Sequence, residues 1–274
     1  MNTSEAAFEV VGGGARSAGL GSAFAAAVGA VESVWFNAAG NARSLRNQAG
    51  VVHTVLYPGL NDAITLSSLA ASGRLAGGNA QLGLSSLNGL GWEERVYLVG
   101  YGRPVHPRVA LGANVRSVGW DAGSLSQRAV DVDIGAIYEA GWVRPDLYLR
   151  FAAVAGNLTV GNISAEGHSG GDVSRGWVLA MTATSGPHTV LADVDRRRGR
   201  SEIRVGLETR GYYTPGLTAR LGASAVSAGW QGKELNAGFG YRWASLQFDY
   251  AYSYPIELSG LGGVHRMGFT YRRP

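Results

Sequence analysis

From about Val51 to the C-terminus, apolar and polar residues alternate with a period of two. That spacing puts them on opposite faces of extended strands and excludes amphipathic helices there. In Ile203-Arg204-Val205-Gly206-Leu207-Glu208 the odd positions are apolar and the even ones charged or glycine. Leu217 to Ser224 and Leu235 to Trp243 repeat the pattern, and Leu246 to Tyr254 keeps it in shifted phase. Val130 to Ile134 and Leu147 to Phe151 do the same.

Such segments begin near Val51, Ala63, Asn79, Arg95, Arg108, Ala129, Leu147, Arg175, His188, Glu202, Leu217, Leu235, Leu246 and His265. They number about 14, each close to the roughly 9 to 11 residues that a tilted strand needs to cross a bilayer. The expectation is an all-β fold, a transmembrane antiparallel β-barrel. Pro- and Gly-rich turns follow even-numbered strands, at Arg103-Pro104, Arg144-Pro145, Ser185-Gly186-Pro187 and Thr214-Pro215-Gly216. Longer connections, at 157–172 and 255–263, follow odd-numbered ones, so short turns face the periplasm and long loops the exterior. By this logic the arginine-rich tip Asp195 to Arg200 lies outside the cell, read as a solvated hairpin, the alternative being attraction to anionic lipid headgroups or an acidic partner.

A soluble β-sandwich also alternates. Against it stand the strand number and length, and aromatics placed near strand ends as an interfacial girdle (Trp177, Tyr241, Trp243, Tyr250, Tyr252, Tyr254, Tyr271). The polar face carries charges of both signs well inside strands. Asp131, Asp133, Arg150, Arg204, Arg220, Arg242 and Asp249 are the candidate lumen-lining polar residues, able to pair across neighbouring strands.

The net charge of +4 comes from arginine, Lys233 being the only lysine. The arginines are dispersed, which argues against a nucleic-acid partner. The absence of cysteine excludes disulfides and thiolate metal sites. No run reaches the roughly 18 apolar residues of a membrane helix; Ala18 to Val31 comes nearest. The start at Met1 lacks a signal peptide, so the expectation is a mature or truncated chain destined for the bacterial outer membrane.

Catalytic patterns fail on context. Gly167-His168-Ser169-Gly170-Gly171 has nucleophile-elbow spacing but sits in a polar loop rather than a strand-turn-helix. The five histidines lack metal-ligand spacing, and glycines 12–21 lack the Gly-Lys-Ser/Thr of a phosphate loop. The expectation is no enzyme, no catalytic residue, no metal and no cofactor.

Residues 1–50 differ from the barrel of 51–274. A glycine-rich loop leads into Ser22 to Val31, read as a short helix of small residues, before Val34-Trp35-Phe36-Asn37-Ala38-Ala39-Gly40. A 14-stranded barrel is too wide for its own side chains to fill, and this segment is a natural plug. Gly14-Ala15-Arg16-Ser17-Ala18-Gly19-Leu20-Gly21-Ser22-Ala23-Phe24, followed by the aromatic pair and Asn37 to Gly40, resembles the amino-terminal signature of the FadL/PorV-like outer-membrane proteins. The resemblance implies a 14-stranded barrel with an N-terminal hatch, and marks Asn37, Ala38, Ala39 and Gly40 as the hatch motif. Ala38 stands where the family has proline, removing a fixed φ. The C-terminal segment is similar to a barrel-assembly signal in Gly268 and Tyr271, but ends in Arg273-Pro274 where an aromatic is usual.

The resemblance leaves two readings open. One is passive passage of hydrophobic small molecules, which the transporter branch moves past the hatch and releases laterally through the wall. The other is a plugged structural or secretion-partner barrel without small-molecule cargo. Expected partners are accordingly outer-membrane lipids, a hydrophobic or detergent-like ligand, or a secretion-system protein. An aqueous porin is a third reading if the N-terminal segment leaves the lumen open.

Overall fold

The computed structural model describes residues 13–60, 62–123, 125–159, 175–197, 199–211, 214–226 and 232–273. The chain opens with a four-residue helix, α1 (Ala15–Ala18), and two 3-10 turns, Val31–Trp35 and Ala38–Asn41. Fourteen strands follow. The first seven are β1 (Gln48–Leu56), β2 (Ile64–Leu75), β3 (Gly78–Gly89), β4 (Trp92–His106), β5 (Val109–Ala122), β6 (Leu125–Arg144) and β7 (Leu147–Gly156). The rest are β8 (Gly176–Ser185), β9 (His188–Arg197), β10 (Arg200–Arg210), β11 (Leu217–Val226), β12 (Glu234–Trp243), β13 (Leu246–Pro255) and β14 (Val264–Arg272). Each pairs antiparallel with its sequence neighbour, and β1 pairs with β14, so the sheet closes into a barrel. Closure gives every strand a partner on both sides over at least part of its length and removes the free edge strands of an open sheet, the condition for a sheet to stand in lipid.

The alternation has the predicted sense. The outer face carries apolar side chains such as Leu82, Val99, Val115, Ile134, Leu179, Ile203 and Phe269, all exposed. Trp142 and Trp243 project outward at one rim, Trp177 and Tyr254 at the other, whereas Tyr250 lies mid-strand. The inner face buries Asp131, Asp193, Glu208, Arg220 and Asp249.

At one end, two-residue turns link β2–β3, β4–β5, β6–β7, β8–β9 and β12–β13, and only β10–β11 uses a longer connection, 211–216. The other end holds the long connections 57–63, 157–175, 227–233 and 256–263, but also three tight turns. Tight turns are built where φ turns positive, as at Ala76-Gly77 and Leu90-Gly91, the conformation type I′ hairpins demand. The arginine-rich tip is one of these tight turns, closing β9 on β10.

Two expectations need correction. Arg103-Pro104 lies inside β4, and the turn falls at 107–108; the ladder shifts register between Pro104 and His106. Proline cannot donate to a ladder, so it is tolerated there beside a bulge at the strand end. Ser22 to Val31 is not helical. Ser22 and Gly29 take positive φ, and Phe24 and Ala25 turn their N–H groups to the barrel wall, leaving only isolated turns such as Ala27 N–H to the Phe24 carbonyl. The Gly167 to Gly171 motif and most of the 157–172 loop lie outside the described residues.

Candidate functional site: the lumen and its hatch

Residues 13–42 fill the barrel interior, and 43–47 lead out at the short-turn mouth into β1. The helix α1 packs against β12, β13 and β14, the Val31–Trp35 turn against β1, β2 and β3, and the Ala38–Asn41 turn against β4, β5 and β6. Such close seating requires inner-face positions without side chains. A Cβ on Gly206 would lie 2.7 Å from the Leu20 carbonyl oxygen, and one on Gly83 2.8 Å from the Trp35 ring. On Gly222 it would run into the backbone of Leu20 and Gly21, and on Gly112 into that of Ala38 and Ala39.

Amides and carboxylates of the wall then satisfy the hatch backbone, as buried N–H and C=O groups require. Asp193 Oδ2 accepts from the N–H groups of Phe24 (2.9 Å) and Ala25 (3.0 Å). Gln81 Nε2 donates to the Ala38 carbonyl at 2.6 Å and Asn114 Nδ2 to that of Val34 at 3.1 Å. In the hatch motif, Asn37 Oδ1 caps the turn by accepting from Ala39 N–H at 3.0 Å. Its Nδ2 donates to the carbonyls of Ala25 (2.9 Å) and Ala136 (3.3 Å). Ala38, Ala39 and Gly40 are all buried behind it.

Charges make the strongest fastening. Arg16 grips Glu208 with two bonds, Nε at 2.7 Å and Nη2 at 2.8 Å, the bidentate geometry that makes such pairs strong. Arg220 continues the chain, bridging Glu208 (2.8 Å) and Asp249 (2.7 Å). Gln247 Nε2 donates to the second Asp249 oxygen at 2.7 Å, and its Oε1 accepts from Arg242 (3.1 Å) and Arg272 (2.8 Å). Glu32 sits over the start of α1 and accepts from the N–H groups of Arg16 (3.2 Å) and Ser17 (2.8 Å). Burial, and then the charge of Asp249, push its carboxyl above the ordinary range. A cavity of about 10 Å³, room for one water, lies between Val31, Glu32 and Trp35 of the hatch and Gly50, Asp249 and Gly268 of the wall.

The lumen-lining candidates thus fall into separate clusters. Arg220, Arg242 and Asp249 belong to the hatch network at the short-turn half. Arg150 reaches Glu139 (3.5 Å) beneath it, where Tyr148 also bonds Glu139. At the long-loop half, Asp133 pairs with Arg116 at 3.0 Å, and Asp131 accepts from Thr159 Oγ1 at 2.8 Å. Arg204 holds Asp195 (3.1 Å) and Glu202 (2.5 Å).

Alternation alone missed an aromatic cluster beside the hatch. Trp92 and Trp120 stack with ring centroids 4.7 Å apart on the inner faces of β4 and β5. Val96, Val118, Ala122 and Ala129 complete the panel, and hatch Trp35 packs against it. A second apolar patch, Leu56, Leu66 and Val264 with Ile64, Leu87 and Tyr57, lines the same end at β1, β2, β3 and β14. The signal was present in Trp92-Glu93-Glu94-Arg95-Val96-Tyr97-Leu98-Val99, where apolar residues fall on both faces of one strand.

The geometry defines a class: a fourteen-stranded antiparallel transmembrane barrel closed around its own N-terminal segment. The fold is that of the FadL-type outer-membrane barrels. The toluene transporter TodX of Pseudomonas putida superposes with a TM-score of 0.66 at 9% identity, over 95% of this chain and 96% of that one. A Pseudomonas aeruginosa FadL homologue gives 0.61 at 13% identity, over 95% and 98%. The Ralstonia pickettii toluene transporter TbuX gives 0.59 at 13% identity, over 97% and 98%. No protein-family model and no curated protein matches the sequence.

Proposed function

We propose that this chain is an outer-membrane barrel for passive passage of hydrophobic small molecules, with residues 13–47 as the hatch. The observation that carries the reading is the stacked Trp92–Trp120 panel on the inner face, against which Trp35 packs. Apolar walls with a few polar groups nearby, here Glu94 and the Arg116–Asp133 pair, are what capture of an apolar ligand needs. Proteins of the same fold include transporters of toluene by name.

A second reading, a plugged scaffold or secretion partner, is favoured by the fastening of the hatch and by the wall itself. All fourteen ladders are paired, with register shifts only in β4–β5 and β6–β7, near the short-turn end. The chief break in that continuity among the described residues is at β6, whose residues before Ile134 have no β7 partner.

Uptake of radiolabelled toluene and oleate by cells with and without the protein separates the two. Trp92→Ala/Trp120→Ala, verified by heat-modifiable gel mobility, should abolish the protein-dependent uptake. Uptake equal in cells lacking the protein would eliminate the transport reading and leave the scaffold.

A further inference from the structure

The acids of this barrel are concentrated toward one end. At the long-loop half Arg95, Arg116, Arg197 and Arg204 each hold a carboxylate within 4 Å, whereas Arg128 and Arg266 there hold none among the described residues. At the short-turn end the arginines outnumber the acids. Arg46, Arg210 and Arg242 are exposed and Arg272 is half-buried, and none has an ion pair among the described residues. Two of the guanidiniums, those of Arg242 and Arg272, converge on a single neutral acceptor, Gln247 Oε1. The nearest carboxylate, Asp249, is already taken by Arg220. Arg74, Arg103, Arg108 and Arg144 extend the exposed positive charge around the rim. The acids available there are Asp146 in a turn and Glu139, which serves Arg150 and, at 4.0 Å, Arg43.

We propose that the short-turn mouth of the barrel is a docking surface for an acidic protein segment, whose carboxylates complete the Arg46–Arg210–Arg242–Arg272 cluster. Like charges gathered without counter-charge repel, and an oppositely charged partner relieves that repulsion while steering its own approach. Anionic lipid is the poorer occupant, because strand alternation decides what each arginine faces. Arg210 continues the inner-face series Gly206 and Glu208, and Arg242 the series Gly238 and Gly240; Arg272 follows Gly268 and Thr270. These side chains open into the lumen mouth, where a leaflet surrounding the barrel does not reach but an extended peptide does. The flat profile of five two-residue turns leaves that mouth accessible. The inference does not depend on the Trp92–Trp120 panel carrying a ligand.

The test uses the full chain in zwitterionic detergent and a fluorescent twelve-residue peptide of alternating Glu and Gly, followed by anisotropy. Saturable binding that weakens steeply with salt is expected, with no binding of the matching Lys-Gly peptide. Arg46→Gln/Arg242→Gln/Arg272→Gln should weaken it by about tenfold, as loss of three exposed ion pairs implies. Arg196→Gln/Arg197→Gln at the opposite end should leave it unchanged. If the triple variant fails the heat-modifiability check, Arg46→Gln alone must weaken binding by about two- to threefold. Equal binding by wild type and the mouth variant, or an equal loss in the opposite-end variant, overturns the proposal. So does a mouth variant that loses association with phosphatidylglycerol vesicles while keeping peptide affinity, which would assign the surface to lipid.

Discussion

Removing the Arg220 guanidinium tests the buried charge network of the wall on which hatch Arg16 is seated. That side chain is 1% exposed and bridges Glu208 and Asp249 at 2.8 and 2.7 Å. In Arg220→Met the two carboxylates fare unequally. Glu208 keeps both bonds from Arg16, whereas Asp249 keeps only the neutral amide of Gln247. The stranded charge is therefore Asp249. Loss of one partner from a buried pair costs about 3–5 kcal/mol, and the remaining amide bond puts the expectation at about 3 kcal/mol. Asp249→Asn leaves Arg220 on Glu208 and should cost about 1–2 kcal/mol. The double variant removes the stranded charge and should be about 2 kcal/mol more stable than the summed single losses predict. Urea unfolding in phospholipid vesicles, followed by tryptophan fluorescence, measures all three. Strict additivity, or a loss below about 1 kcal/mol for Arg220→Met, would refute the account of Glu208, Arg220 and Asp249 as one coupled buried network.

Three further outcomes follow from the hatch geometry. Gly222→Val places a side chain against the Leu20–Gly21 backbone, so planar-bilayer recordings should show conductance absent from wild type while the barrel stays heat-modifiable. Ala38→Pro should be neutral or stabilising by about 0.5 kcal/mol in urea unfolding, because Ala38 opens its turn and the preceding Asn37 is already extended (φ −162°, ψ 111°). Glu32 holds its proton more tightly folded than unfolded. Its contribution is most favourable below the unfolded carboxylate pKa, and is progressively lost as pH rises towards and through the higher folded value. Glu32→Ala should flatten that fall in unfolding free energy, and an unchanged slope would assign it to other groups.

The barrel was legible because its physics is local. A strand in lipid needs one apolar face, so each strand announced its position within a few residues; the largest displacement is β6, which starts at Leu125 rather than near Ala129. The hatch was less legible. Ala23 to Ala30 has helical composition, but its small side chains serve close approach to the wall, and the N–H groups of Phe24 and Ala25 go to Asp193. A glycine such as Gly222 looks in sequence like a weak strand position, and its meaning depends on Gly21 lying opposite, two hundred residues away. The charged positions were recognisable as inner-face residues, but their partition into a hatch network and separate rim clusters depends on register across several strands. Trp92 and Trp120 were hidden because aromatics in such a chain are expected on the lipid side.

The order of the strands has a consequence for assembly. Every ladder but one joins neighbours in sequence, and the exception is the seam between β1 and β14. Growth can therefore proceed hairpin by hairpin at low loop-closure cost, leaving one distant stitch for last. The strand that makes this stitch, β1, directly follows the hatch, and Gly50 of β1 and Gly268 of β14 approach Val31 and Ala15 within it. A sheet that zipped shut first would face threading a folded segment into a space with no slack. The plug is thus best understood as a mandrel around which the last seam is sewn.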